Sequence, residues 1–102
     1  MPTKEELKLI KEFMKRQMEI LNKKGYDYSG GERITRNFRF HEDIGVPAEL
    51  SCFIRLSDKF NRLKNFFKQG VLKFKGEKVE DTLIDLANYC IILYLILKEK
   101  EL

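Results

Sequence analysis

The run Cys90 to Leu97, CIILYLIL, is apolar at all eight positions and constrains the fold more than any other stretch. It is far shorter than the ~20 residues that a bilayer core requires. It lies in the second half of a segment whose spacing predicts a helix from about Val79 to Lys98. A helix that is apolar on every side must be covered on every side. A chain of 102 residues makes one domain, residues 1–102, with a modest core. Few other helices are then available to enclose this one, so the pattern predicts a homo-dimer or tetramer around it.

Two more helices precede it. The first is expected from about Lys4 to Lys24, opened by a capping box of Thr3 and Glu6. Leu7, Ile10, Met14, Met18 and Leu21, widened by Phe13, form its expected core stripe, and Gly25 is the expected stop. The second is expected to begin at Pro47 and to end before Gly70, with Leu50, Phe53, Ile54, Phe60, Leu63 and Phe67 as its apolar members. Between them, Tyr26 to Val46 has no sustained period, apart from a short helix near Asn37 to Asp43. A connection of this length inside a small domain usually carries function. Val71 to Lys75 alternates and reads as extended. The expected architecture is all-α: three main helices, a long irregular middle segment and an oligomeric helical bundle.

Composition excludes several classes. With 43% hydrophobic and 35% charged residues, 2 Pro and 6 Gly, the chain is neither collagen-like nor disordered. One histidine and two cysteines cannot build the usual four-ligand zinc site. Cys52 and Cys90 sit in apolar contexts, which predicts buried, unreactive thiols in a reducing compartment. No secretory signal pattern opens the sequence, so a cytoplasmic location is expected, with no membrane partner.

Charge placement is more telling than the net +4. Residues 1–47 and 48–102 each hold ten Lys/Arg and eight Asp/Glu, so there is no basic tail of the nucleic-acid type. From Arg55 to Lys75 seven cations face Asp58 alone, and then Glu77, Glu80, Asp81 and Asp85 follow. A cationic segment beside an acidic one suits a site that holds phosphates and a divalent metal.

Three groups of residues carry that chemistry. If helical geometry reaches back to Glu77, then Glu77, Asp81, Asp85 and Asn88 share an arc of about 80°. Carboxylates one turn apart can share Mg2+ with phosphate oxygens, although acids are also favoured in any first helical turn. On the second helix Arg55, Asp58, Lys59 and Arg62 form one stripe, able to grip phosphates or to pair among themselves in solvent. In the middle segment Tyr26, Tyr28, Phe38 and Phe40 suit stacking on a base, and Lys24, Arg33, Arg36 and Arg39 suit phosphates, or the aromatics pin the segment to the core. Gly30-Gly31 is not a P-loop. His41 has no assigned role.

The residues Asp27-Tyr28, Asn37-Phe38, Gly45-Val46-Pro47, Arg55, Asp58-Lys59, Arg62 and the block Glu77-x-Val79-x-Asp81-Thr82-Leu83-x-Asp85-Leu86-Ala87-Asn88-Tyr89 resemble the type-1 nucleotide-modification-associated domain family, common in phage genomes. The resemblance covers about residues 20 to 95. It implies an all-α domain connected with phage nucleotide metabolism. It also implies a more distant similarity to MazG-like all-α nucleoside triphosphate pyrophosphatases, which use magnesium between acidic helices. The later acidic pair of that family matches Asp81 and Asp85, at a spacing of four. In place of the earlier pair the second helix offers Asp58 alone.

Two readings follow. In the first, a (d)NTP binds with Mg2+ on Asp81 and Asp85 and is hydrolysed, with Asp58 or Glu77 as base. Lys24, Asp27, Tyr28, Asn37, Phe38, Arg55, Lys59, Arg62 and Asn88 then hold the nucleotide. In the second, the chain is a non-catalytic accessory module whose acids and cations satisfy one another across the helices. Direct DNA binding is disfavoured, because the acids would repel a phosphate backbone.

Overall fold

Thr3 and Glu6 open the first helix reciprocally: the Thr3 N–H donates to Glu6 Oε1 at 3.0 Å, and the Glu6 N–H to Thr3 Oγ1 at 3.1 Å. The computed structural model describes residues 1–29, 33–74 and 76–101, with the side chains of 24–29 and 74 excluded. Helix α1 spans Lys4–Ser29, α2 Ala48–Gln69 and α3 Val79–Glu101. Two 3-10 turns, Arg36–Arg39 and Glu42–Ile44, lie between α1 and α2. A two-stranded hairpin, β1 (Lys73–Phe74) and β2 (Glu77–Lys78), joins α2 to α3. The fold is all-α.

Most boundaries fall where local chemistry puts them. Gly70 adopts φ 66° and donates back to the Phe66 and Phe67 carbonyls, which ends α2. Pro47 is extended and serves as the residue before the helix, so α2 starts one position later than expected. Gly25 does not stop α1. A glycine in a helix costs about 1 kcal/mol but breaks nothing, and α1 runs on through Ser29, four residues into the segment expected to be irregular. The expected short helix near Asn37 resolves into the two 3-10 turns, the second closed by Gly45 at φ 85°. Gly30 and Gly31 lie outside the described residues.

The core forms where α2 meets α3. Ala48 and Cys52 are small, so α3 approaches closely and buries Ile92 and Ile96 between the helices, with Leu21, Ile34, Phe38, Tyr89 and Leu93 packed around them. Phe38 meets Tyr89 edge to face at 6.2 Å. This corrects the expected face of α2: Ala48, Cys52 and Phe66 are buried, whereas Leu50, Phe53, Ile54, Phe60 and Phe67 are exposed. The same correction holds for α1. Its inward face is Phe13, Gln17, Ile20 and Leu21, each half-buried, and Leu7, Ile10, Met14 and Met18 lie in solvent. The reason is lever length: only the C-terminal half of α1 reaches α3, and a stripe with no opposing element stays open. On α3 the all-apolar run is covered on one side only, with Tyr94 59% and Leu97 47% exposed.

The thiols divide. Cys52 is buried, and burial, with Cys90 nearby, pushes its thiol up to about 11, which makes it inert. Cys90 is exposed, contrary to expectation, because it sits on the uncovered side of α3.

A polar latch closes the far end. Buried Thr35 donates to Glu99 Oε1 at 2.8 Å, and Arg39 also bonds Glu99, which ties the first 3-10 turn to the last turns of α3. Burial raises the Glu99 pKa, but Thr35, Arg39 and Arg33 outweigh it and hold the carboxyl below its ordinary value.

Two outcomes test this account. Ile96→Ala, at the fully buried centre of the core, costs about 3 kcal/mol in denaturant unfolding at fixed protein concentration. Because the folded Glu99 carboxyl titrates below its unfolded value, its contribution is complete at neutral pH and is lost as pH falls through the folded value. Thermal melts from pH 7 down to pH 3 (about the carboxylate range) therefore show a steeper loss for the native chain than for Glu99→Gln.

Candidate functional site

One cavity opens between α1, the first 3-10 turn, α2 and α3. Its floor is apolar: Ile20 and Leu21 from α1, Ile34, and Ile92 from α3. Its polar wall is Asn37, Arg55, Asp85 and Asn88, flanked by the rings of Phe38 and Tyr89. The enclosed part measures about 40 Å³, room for roughly three waters. That is well below the ~300–1,000 Å³ of small-molecule sites, so only the edge of a larger ligand enters and the rest of it lies in the open depression outside.

Local sequence explains how these groups meet. Asp85, Asn88, Tyr89 and Ile92 recur at steps of three, one and three along α3 and so share one face. Arg55 reaches the cavity from α2, and Asn37 and Phe38 come from the 3-10 turn that Thr35 anchors. Asn88 is only 6% exposed. Its Nδ2 donates to the Gln17 carbonyl at 3.3 Å, but its Oδ1 is buried with no partner. Leaving a buried acceptor unpaired costs about 1–3 kcal/mol. Among the described residues Ser51 Oγ is the other such side-chain atom.

The acidic residues are occupied. Asp81 binds Arg16 of α1 and accepts the Lys78 N–H at 3.2 Å, where it caps α3. Asp85 pairs with Lys59 at 3.0 Å, both side chains at least four-fifths buried. Glu77 accepts from Arg62 at 2.8 Å and from the buried Thr82 hydroxyl at 3.0 Å. Glu77 lies in β2 and not on α3, so the expected four-residue acidic arc begins only at Asp81. The opposite charges of α2 and α3 thus meet directly, and Arg16 joins them from α1.

The expected site residues therefore separate into groups. Asn37, Phe38, Arg55, Asp85 and Asn88 come together at the cavity. Lys59 and Arg62, expected on phosphates, hold Asp85 and Glu77 instead. Asp58 is exposed on α2 and does not line the cavity, nor does Glu77. Asp81 and Asp85 hold separate cations on α1 and α2. Among the described residues no group of three His, Cys, Asp or Glu side chains converges as a metal site. Lys24, Asp27 and Tyr28 lie on the last turns of α1, and their side chains fall outside the described residues. Tyr26 falls there too, and Phe40 is exposed on its turn.

Sequence reasoning missed three participants. Arg16 reads as an ordinary helix-surface cation, and no spacing in the sequence links it to Asp81. Ile20, half-buried beside the expected α1 stripe, reads as core. Tyr89 stood in the motif block, one position from Asn88, and that adjacency was the available signal. Compared with known proteins, the chain matches no family model, no curated sequence and no solved structure.

The Lys59–Asp85 pair is testable without any ligand. Lys59→Met leaves a largely buried carboxylate with less compensation and costs about 2 kcal/mol. Adding Asp85→Leu recovers part of the loss, because two apolar side chains can replace a desolvated pair. A double-mutant cycle in urea measures the coupling.

Proposed function

We propose that this protein is a binding module for a nucleotide, with the mouth of the α1–α3 cavity as the site for the edge of its base. The observation that carries the reading is the unpartnered Asn88 Oδ1, buried in the polar wall beside Asn37. A second amide there presents a donor and an acceptor to the edge of a planar heterocycle. Phe38 and Tyr89 line the same cavity and can flank the ring, and Arg55, exposed in the same wall, is available for a phosphate. The resemblance to a nucleotide-modification-associated family supports the same ligand class.

The accessory, non-catalytic form of this reading is favoured. Asp81, Asp85 and Glu77 each hold a cation from a neighbouring element, so these acids serve to join α3 and the hairpin to α1 and α2. For Mg2+-dependent pyrophosphohydrolysis, Asp81 and Asp85 would have to release Arg16 and Lys59 before sharing a metal. The residues as arranged do not fit that ion.

A panel of nucleosides, mono- and triphosphates, and inorganic phosphate alone, each with and without Mg2+, tests both forms by melting temperature. A nucleotide at a hundredfold excess over its Kd stabilises by ~2.7 kcal/mol, a rise on the order of 10 °C for a domain of this size. Asn88→Leu removes the orphaned acceptor, so the free protein melts within a few degrees of the native chain while the nucleotide shift disappears. A panel that leaves the melt unchanged rejects nucleotide binding. Stabilisation that requires Mg2+, with pyrophosphate released, favours the hydrolase form instead.

A further inference from the structure

The protomer has too much surface for its mass. It exposes 7888 Å², whereas a monomeric protein of this size exposes roughly 6,100 Å². Its radius of gyration is 15.5 Å, against about 13 Å for a compact chain of this length. The excess of about 1,800 Å² is roughly twice the ~800 Å² per partner of a standard interface. The open N-terminal half of α1 accounts for part of it.

The rest concentrates on one face. On α3, Asp81 and Asn88 bond α1, and Glu99 bonds the first 3-10 turn. Leu83, Cys90 and Leu97 each stand two residues from one of these, roughly 160° round the helix at ~100° per residue. On α2, Phe53 stands two residues from Arg55, which faces the cavity. Phe60 and Phe67 continue the Phe53 line at seven-residue steps, drifting only ~20° each. All six, and Tyr94 with them, are exposed. The α2–α3 layer is therefore covered by α1 and the turns on one side and bare and apolar on the other, a patch of the kind that marks an interaction site.

We propose that a second copy of this chain covers that face, antiparallel about a two-fold axis beside Cys90, closing a four-helix bundle of two α2–α3 layers. The sequence of α3 is self-complementary about that point. Leu83 meets the second copy's Leu97, Cys90 meets its counterpart, and Ala87 leaves room for the second copy's Tyr94. At the ends, exposed Glu80 comes opposite the second copy's Lys98, both exposed and on the same flank of the stripe. The pairs Lys59–Asp85 and Lys100–Glu49 set α2 antiparallel to α3 and place Cys90 level with the stretch between Phe53 and Phe60. The same axis therefore sets Phe53 against the second copy's Phe60. Each contact occurs twice, as an isologous interface requires.

Light scattering after gel filtration at micromolar to hundred-micromolar protein tests the assembly, and oxidative crosslinking tests its geometry. The expected result is a mass of two protomers, and a disulfide-linked dimer under mild oxidation that Cys90→Ser abolishes. Tyr94→Glu, an exposed change that leaves the helical circular dichroism intact, shifts the chain to one protomer. Leu7→Glu on the outer stripe of α1 leaves the dimer in place. A mass of one protomer throughout the concentration range overturns the proposal. So does an assembly that survives Tyr94→Glu and fails to crosslink through Cys90, since the second copy then sits on another face.

Discussion

Three helices cannot surround one of their own, and most of this structure follows from that limit. The α3 run Cys90 to Leu97 needs cover on all sides, but α2 and the α1 side together cover only the faces that carry Ile92 and Ile96. Close approach through Ala48 and Cys52 makes the α2–α3 contact the densest part of the core. The remaining faces of α1, α2 and α3 stay apolar and open. A chain of this length has little surface to spare for a second core layer, so these stripes stay unburied in the protomer.

The polar groups do a different job from the apolar ones. Arg16–Asp81 and Lys59–Asp85 fix the rotation of α3 against α1 and α2, because a slip of one residue would separate the partners by ~100°, and Arg62–Glu77 ties the hairpin to α2. Partly buried pairs of this kind add little net stability beyond an apolar equivalent. They orient α3 so that Asn88 and Tyr89 face the gap left between α1 and α2. The cavity is thus a by-product of helix registration, with one unsatisfied amide oxygen, Asn88 Oδ1, in its wall.

Legibility in the sequence followed the range of the interaction involved. The capping box at Thr3 and Glu6, the stop at Gly70 and the three helices were all readable, since each depends on residues within a turn or two. The faces of the helices were not. On α2 both the Ala48–Cys52–Phe66 line and the Phe53–Phe60–Phe67 line have helical spacing, and by bulk alone the second reads as the core. The smaller residues won because a close helix crossing needs small side chains at its centre. Five of the expected site residues, Asn37, Phe38, Arg55, Asp85 and Asn88, do share the cavity. Of the expected metal pair, Asp81 pairs with Arg16, far away in sequence, and Asp85 with Lys59.

By itself the sequence determined the class of the fold, its helix count and the stock of charged and amide groups on α2 and α3, because periodicity, caps and composition are properties of neighbouring residues. Only the tertiary structure decided which apolar stripe is buried, which acid meets which base and that a cavity opens beside Asn88. Those outcomes depend on the rotation of whole helices about their axes, a quantity set by contacts between segments far apart in the chain.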